Sequence, residues 1–137
     1  MGVILDTSLL ISAERGHVAI ERWAAHSPDE LFGLAAITVS ELLHGVHRAE
    51  SAARRLRREA FVEKAIELFP VIPFDIGTAR VYARLWANLA RKGIRIGAHD
   101  LLIAATAISI GYSVATADRR DYSRIPELTV QFIDEQS

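Results

Sequence analysis

The chain has no cysteine among its 137 residues. This excludes disulfides, thiolate zinc sites and thiol nucleophiles, leaves only oxygen or imidazole as metal ligands, and fits a reducing cytoplasm. It also lacks charge of one sign: 16 Lys and Arg stand against 17 Asp and Glu, a net charge of −1. No overall basic field marks a nucleic-acid binder, so contact with a polyanion has to come from local patches. Lysine is scarce, with only Lys64 and Lys92; the other fourteen bases are Arg. The planar arginine fork suits phosphate, though a coding bias toward arginine explains the count equally well. Long hydrophobic runs are missing too. The apolar N-terminal stretch has no basic flank and is cut by Asp6, which argues against a signal peptide, and it lacks the Ser or Thr at the sixth position of a myristoylation motif. Leu101–Ala117 is uncharged, but Gly111 splits it and Thr and Ser punctuate it. It falls short of the roughly 20 apolar residues of a membrane span, so no membrane is expected and a buried helix running into a buried strand fits better.

Half of the residues are hydrophobic, and the length suits one ordinary domain over residues 1–137 with a core of its own. Apolar runs predict strands at Val3–Leu5, Leu31–Ile37, Val71–Phe74, Tyr112–Thr116 and Leu128–Ile133. Helices are predicted at Leu9–Ala13, from Thr38 onward, Ser51–Phe69, Ile76–Arg91 and His99–Ser109, with an irregular or short helical connection over Arg119–Ile125. Thr38 and Glu41 have the T-x-x-E spacing of a capping box. Pro70 and Pro73 place the third strand at a sheet edge, and the charged face of the Ser51–Phe69 helix reads as a solvated surface. Alternating strands and helices imply parallel β-α-β units with both sheet faces covered.

Against this frame Asp6, Glu41, Asp100 and Asp118 each fall just after a predicted strand or in the opening turn of the next helix. In an open α/β sheet those positions meet at one edge, outside the strand carboxyl ends. Each acid has a structural reading as well: Glu41 as a capping partner, Asp100 as a favourable charge at a helix N-terminus, Asp118 as a turn former. Asp6 has the least structural use, because Thr7 or Ser8 could cap the helix behind it. Four converging carboxylates would repel one another without a cation, so together they imply Mg²⁺ or Mn²⁺, hard ions that prefer oxygen and retain waters. Glu41 and His44 form E-x-x-H, but a di-iron bundle needs two such motifs on four long helices. His99 reads as a helix-start residue that can support the acids from behind, and His17, His26 and His47 as surface.

Residues 3–8 (V-I-L-D-T-S), 38–45 (T-V-S-E-L-L-H-G), 96–107 (I-G-A-H-D-L-L-I-A-A-T-A) and 114–122 (V-A-T-A-D-R-R-D-Y) follow in an order that resembles the PIN-domain ribonucleases, specifically the VapC-type toxins of VapBC toxin–antitoxin pairs. The resemblance runs nearly end to end. It implies a three-layer α/β fold with a central, mostly parallel sheet flanked by helices. It implies Mg²⁺- or Mn²⁺-dependent endoribonuclease activity with Asp6, Glu41, Asp100 and Asp118 as the catalytic metal site. Ser8 or Thr7 and Thr116 would assist by hydrogen bonding, and Asp121 could substitute for Asp118 or cap the following turn. It further implies a homodimer and a VapB-type antitoxin, whose helix would use the apolar surplus at Leu42, Leu43, Val46, Leu56 and Phe61. Arg15, Arg48, Arg95 and Arg119 are candidates for holding RNA.

Two other readings stand beside this one. A receiver-like Mg²⁺-binding signalling domain would use Asp75 as phosphoacceptor, but it needs a lysine after a late strand, and Lys64 and Lys92 both fall in predicted helices. A catalytically idle PIN scaffold would not need all four acids.

Overall fold

The computed structural model describes residues 2–134. Its strands are β1 (Gly2–Leu5), β2 (Leu31–Ala35), β3 (Val71–Ile72), β4 (Ser113–Thr116) and β5 (Val130–Phe132). Its helices are α1 (Thr7–Glu14), α2 (Ile20–Ala25), α3 (Ala36–His47), α4 (Ala52–Leu68), α5 (Ile76–Arg91) and α6 (Ala98–Ile110), with a 3-10 turn at Tyr122–Arg124. The strands form one sheet in the order β3-β2-β1-β4-β5, and every neighbouring pair is parallel. The expected mostly parallel sheet is thus parallel throughout.

Side-chain alternation along β1 sorts the core into two halves. Val3 and Leu5 face a cluster with Leu9 and Leu10 of α1, Leu42 and Val46 of α3, and Val62 and Ala65 of α4. Ile4 faces the other way, onto Leu85 and Leu89 of α5 and Leu101, Ile103 and Ala104 of α6. Period-two alternation in a strand buried on both faces requires apolar residues at consecutive positions, and all of β1 is buried. Truncating any of these large side chains to Ala should cost about 2–5 kcal/mol.

The strand order also creates the site. The chain builds outward from β1 to β3, then returns to lay β4 against the other side of β1, so the connections after β1 and β4 lead to opposite sides of the sheet and leave a crevice at the paired carboxyl ends. Asp6 follows β1 directly, and its amide donates to the Ala115 carbonyl of β4 at 2.9 Å.

Several boundaries differ from expectation. Strand β2 ends at Ala35, and α3 starts at Ala36 with Ala35 as N-cap, so Thr38 and Glu41 lie inside the helix and form no capping box. Three residues apart, they share a helix face, and both meet the Thr7 hydroxyl. The short α2 was not anticipated, since six residues are too few for a periodic signal. β3 does sit at the edge, shortened to Val71–Ile72. The α4 charges are not only solvated: Arg55 and Arg58 donate to the Ala49 and Gly45 carbonyls at 3.2 and 2.9 Å, near the C-terminus of α3. Gly111 closes α6 with φ 73°, a left-handed conformation that glycine adopts without a Cβ clash. No helix among the described residues is long and apolar enough to cross a membrane.

Candidate active site

Asp6 is the N-cap residue of α1, yet its side chain caps nothing. The carboxylate is 2 % exposed and is held by hydroxyls instead. Ser8 donates to Oδ2 at 2.6 Å, Thr116 to the same oxygen at 2.7 Å, and Tyr122 to Oδ1 at 2.7 Å. These donors come from α1, from the end of β4 and from the 3-10 turn. A buried carboxyl group needs such partners to offset the cost of leaving water.

The Tyr122 hydroxyl also lies 3.4 Å from Asp100 Oδ1, in the first turn of α6. Asp100 is pushed up to about 7, first by burial, then by the Asp6 charge and by a hydrogen bond and charge from Asp121; Tyr122 acts in the opposite sense. Tyr122 is itself held far above its ordinary value by burial and by Asp6 and Asp100, so its hydroxyl keeps its proton and stays a donor. The crevice therefore brings Asp6 and Asp100 to one phenol, with Asp121 beside Asp100.

Glu41 and Asp118 lie to either side. Glu41 Oε1 accepts from Thr7 at 2.7 Å, and its Oε2 is 3.1 Å from His99 Nδ1, one residue before Asp100. Asp118 is held by Arg120: guanidinium contacts of 3.1 and 2.9 Å to its two oxygens, plus the Arg120 amide at 3.0 Å, keep its carboxyl below the ordinary value. It remains one link from the centre, because its amide donates to Thr116 Oγ1 at 3.0 Å. Among the described residues, no group of three or more Asp, Glu or His side chains is set as a ready-made ion cage. The donor chemistry nevertheless fits a hard divalent cation, since Asp6, Asp100 and Asp121 offer only oxygen and the repulsion that Asp6 and Asp121 exert on Asp100 is what an ion would relieve.

Of the sequence-selected residues, Asp6, Ser8, Asp100, Thr116 and Asp121 share the crevice, Thr7 and Glu41 form the adjoining cluster, and Asp118 turns to Arg120. In the sequence Tyr122 and Arg120 carry no assigned role, and Thr38 only that of a helix cap, whereas it accepts from the Thr7 hydroxyl beside Glu41. Tyr122 reads there as one more aromatic after a turn, and nothing local says that its hydroxyl reaches back to Asp6. A cleft of about 460 Å³ opens beside Glu41 and His99, lined also by Arg15, Arg48 and Arg58. Arg119 instead lies over the Phe132 ring and contacts Asp134, and Arg95 lines a separate cavity with Trp86. Asp75 is engaged as the N-cap of α5, accepting from the Thr78 amide and hydroxyl at 2.9 and 3.0 Å, and Lys92 caps the far end of that helix. The pair required of a receiver is therefore absent.

The PIN domain family model matches residues 3–128. A ribonuclease VapC from Rickettsia bellii is 42% identical over 130 residues, 95% of each chain. Among solved structures, VapBC2 from Rickettsia felis, bound to a DNA fragment from its promoter, superposes with a TM-score of 0.88 over 98% of this chain and 100% of the other at 24% identity, which speaks for the fold. VapBC-5 from Mycobacterium tuberculosis, a member of the VapBC family of toxin–antitoxin systems, gives a TM-score of 0.76 at 29% identity over 97% and 98% of the two chains. The chain belongs to the PIN domain family and, within it, to the VapC ribonucleases.

Proposed function

We propose that this protein is a Mg²⁺- or Mn²⁺-dependent endoribonuclease, the toxin half of a type II toxin–antitoxin pair, acting on RNA in the cytoplasm. The observation that carries the metal-dependent part is the pair of carboxylates bridged by the Tyr122 hydroxyl at the β1–β4 crevice, buried Asp6 and half-buried Asp100, with Asp121 close enough to act on Asp100. Asp6, Asp100 and Asp121 would hold the ion directly or through its waters. Asp118 would join them on release from Arg120, and Glu41 from the side of the cleft. The ion, when bound, neutralises these carboxylates and activates water for hydrolysis.

The protein's own groups do the positioning. Ser8 and Thr116 fix Asp6, Thr7 orients Glu41, and the Glu41–His99 pair stands where the arginine-lined cleft meets the acids. Arg15, Arg48 and Arg58 would seat the RNA backbone by neutralising phosphates. Water adds to the phosphorus and the P–O3′ bond breaks. The departing O3′ takes up a proton, which leaves a 3′-hydroxyl and a 5′-phosphate.

The partner in this reading is a VapB-type antitoxin. The apolar surplus on α3 and α4 is smaller than the sequence suggests: Leu42 and Val46 are buried, Leu43 and Phe61 pack against the core, and of the five Leu56 is the one left exposed, at 68 %. The cleft between α1, α3 and α4 still offers Ile11, Ile37 and Leu42 on its walls for an amphipathic helix. A homodimer belongs to the same proposal, with exposed Trp86 and Ile76 on α5 as apolar surface to cover. Co-expression with the adjacent small gene should yield a complex that copurifies and cleaves RNA more slowly than the free protein. The free protein should cleave RNA with Mn²⁺ and stop in EDTA. Cleavage that persists in EDTA would remove the metal from the proposal, and failure to copurify would remove the toxin role.

A further inference from the structure

Tyr122 is 1 % exposed and packs in the core half that also holds Ile4, Ile125 and Leu128. Phenylalanine would fill the same space, so packing alone gives no reason for the hydroxyl, and burying a hydroxyl is costly unless it is bonded. The bonds it makes are specific. Both other hydroxyls on Asp6 go to Oδ2, so Tyr122 is the donor that holds Oδ1 and with it the twist of the carboxylate. The same oxygen is the bridge from Asp6 to Asp100, at 2.7 and 3.4 Å. Its residue also ends the irregular segment after β4, which carries Asp118 and Asp121, and starts the 3-10 turn that returns the chain to the core.

We propose that Tyr122 is a positioning residue for the metal-binding carboxylates: its hydroxyl sets the orientation of Asp6 and its spacing from Asp100, and its buried ring pins the loop that brings Asp121 to them. The inference rests on the reading of Asp6 and Asp100 as ion ligands. Octahedral oxygen coordination tolerates little misplacement, and groups that orient a ligand typically influence metal affinity by about 10–100-fold. A donor that fixes one carboxylate and bridges to the next acts on ion binding first and on turnover only through it.

The test is Mn²⁺ binding by calorimetry to the purified protein and to Tyr122→Phe, with Tyr112→Phe as a control. Tyr122→Phe should weaken Mn²⁺ about 10–100-fold. The Mn²⁺ concentration for half-maximal RNA cleavage should rise by the same factor, and the rate at saturating Mn²⁺ should return to near wild type. A purely structural role would instead lower the rate at every metal concentration. Wild-type protein that binds no Mn²⁺ removes the metal reading and this inference with it; equal binding by wild type and variant removes this inference alone. If Tyr122→Phe does not fold, a Tyr82→Phe/Tyr112→Phe protein leaves Tyr122 as the only tyrosine. Its ultraviolet Raman doublet should then read a strong hydrogen-bond donor, and a weakly bonded or accepting phenol would overturn the proposal.

Discussion

Replacing Asp100 with Asn should make the metal-free protein more stable, and by an amount that grows with pH. The Asp100 carboxyl is pushed up to about 7 in the folded protein from an ordinary value of 3.8. A folded value raised above the unfolded one means that the native state binds the proton more tightly, so stability falls as pH rises from about 4 to about 7. The gap of roughly three pH units, at about 1.4 kcal/mol each, sets a ceiling of about 4 kcal/mol. Asp100 is only partly buried and its neighbours titrate with it, so screening reduces this to on the order of 2 kcal/mol. Asparagine keeps the volume and removes the charge. Urea unfolding in EDTA should therefore show the variant more stable than wild type at pH 8, with the advantage shrinking toward pH 5 and gone below pH 4. Mn²⁺ should reverse the order, since an ion at a hundred times its Kd adds about 2.7 kcal/mol to wild type and little to the variant. An Asp100→Asn protein that in EDTA at pH 8 is no more stable than wild type would refute the argument that uncompensated carboxylates destabilise this crevice.

Asp6→Asn should behave differently even though it removes the same charge. Asp6 accepts from Ser8, Thr116 and Tyr122, and an amide turns one acceptor into a donor facing hydroxyls; the cost should be about 1–3 kcal/mol in urea unfolding, together with loss of RNA cleavage. Arg120→Ala should let the Asp118 carboxyl rise toward its ordinary value, measurable by carboxyl NMR titration. The sign follows from the lowered folded value: the pair contributes above the unfolded value and is lost as pH falls through the folded one. If Asp118 joins the ion, the same variant should bind Mn²⁺ more tightly; an unchanged Asp118 titration would show that the ion pair does not form in solution.

Local pattern alone determined most of the scaffold and the identity of the acids. Apolar runs marked every strand, most plainly β1, because a strand buried on both faces must be apolar at consecutive positions, and Gly111 marked the end of α6 through its backbone freedom. Asp6 stood out because a charge directly after a buried strand has few uses except at a sheet edge. Tertiary structure decided what short-range pattern cannot encode. The spacing of Thr38 and Glu41 fits a capping box and equally fits one face of a helix interior; the choice was made by Thr7, 31 and 34 residues away in sequence. Asp118 and Asp121 are both plausible acids in one loop, and only the loop's path sends one to Arg120 and the other to Asp100. Tyr122 meets Asp6 across 116 residues of sequence, because the return of the chain lays β4 beside β1. The acids are thus written in the sequence, while the donors and partners that orient them, and so set their charge, exist only once the strands are in order.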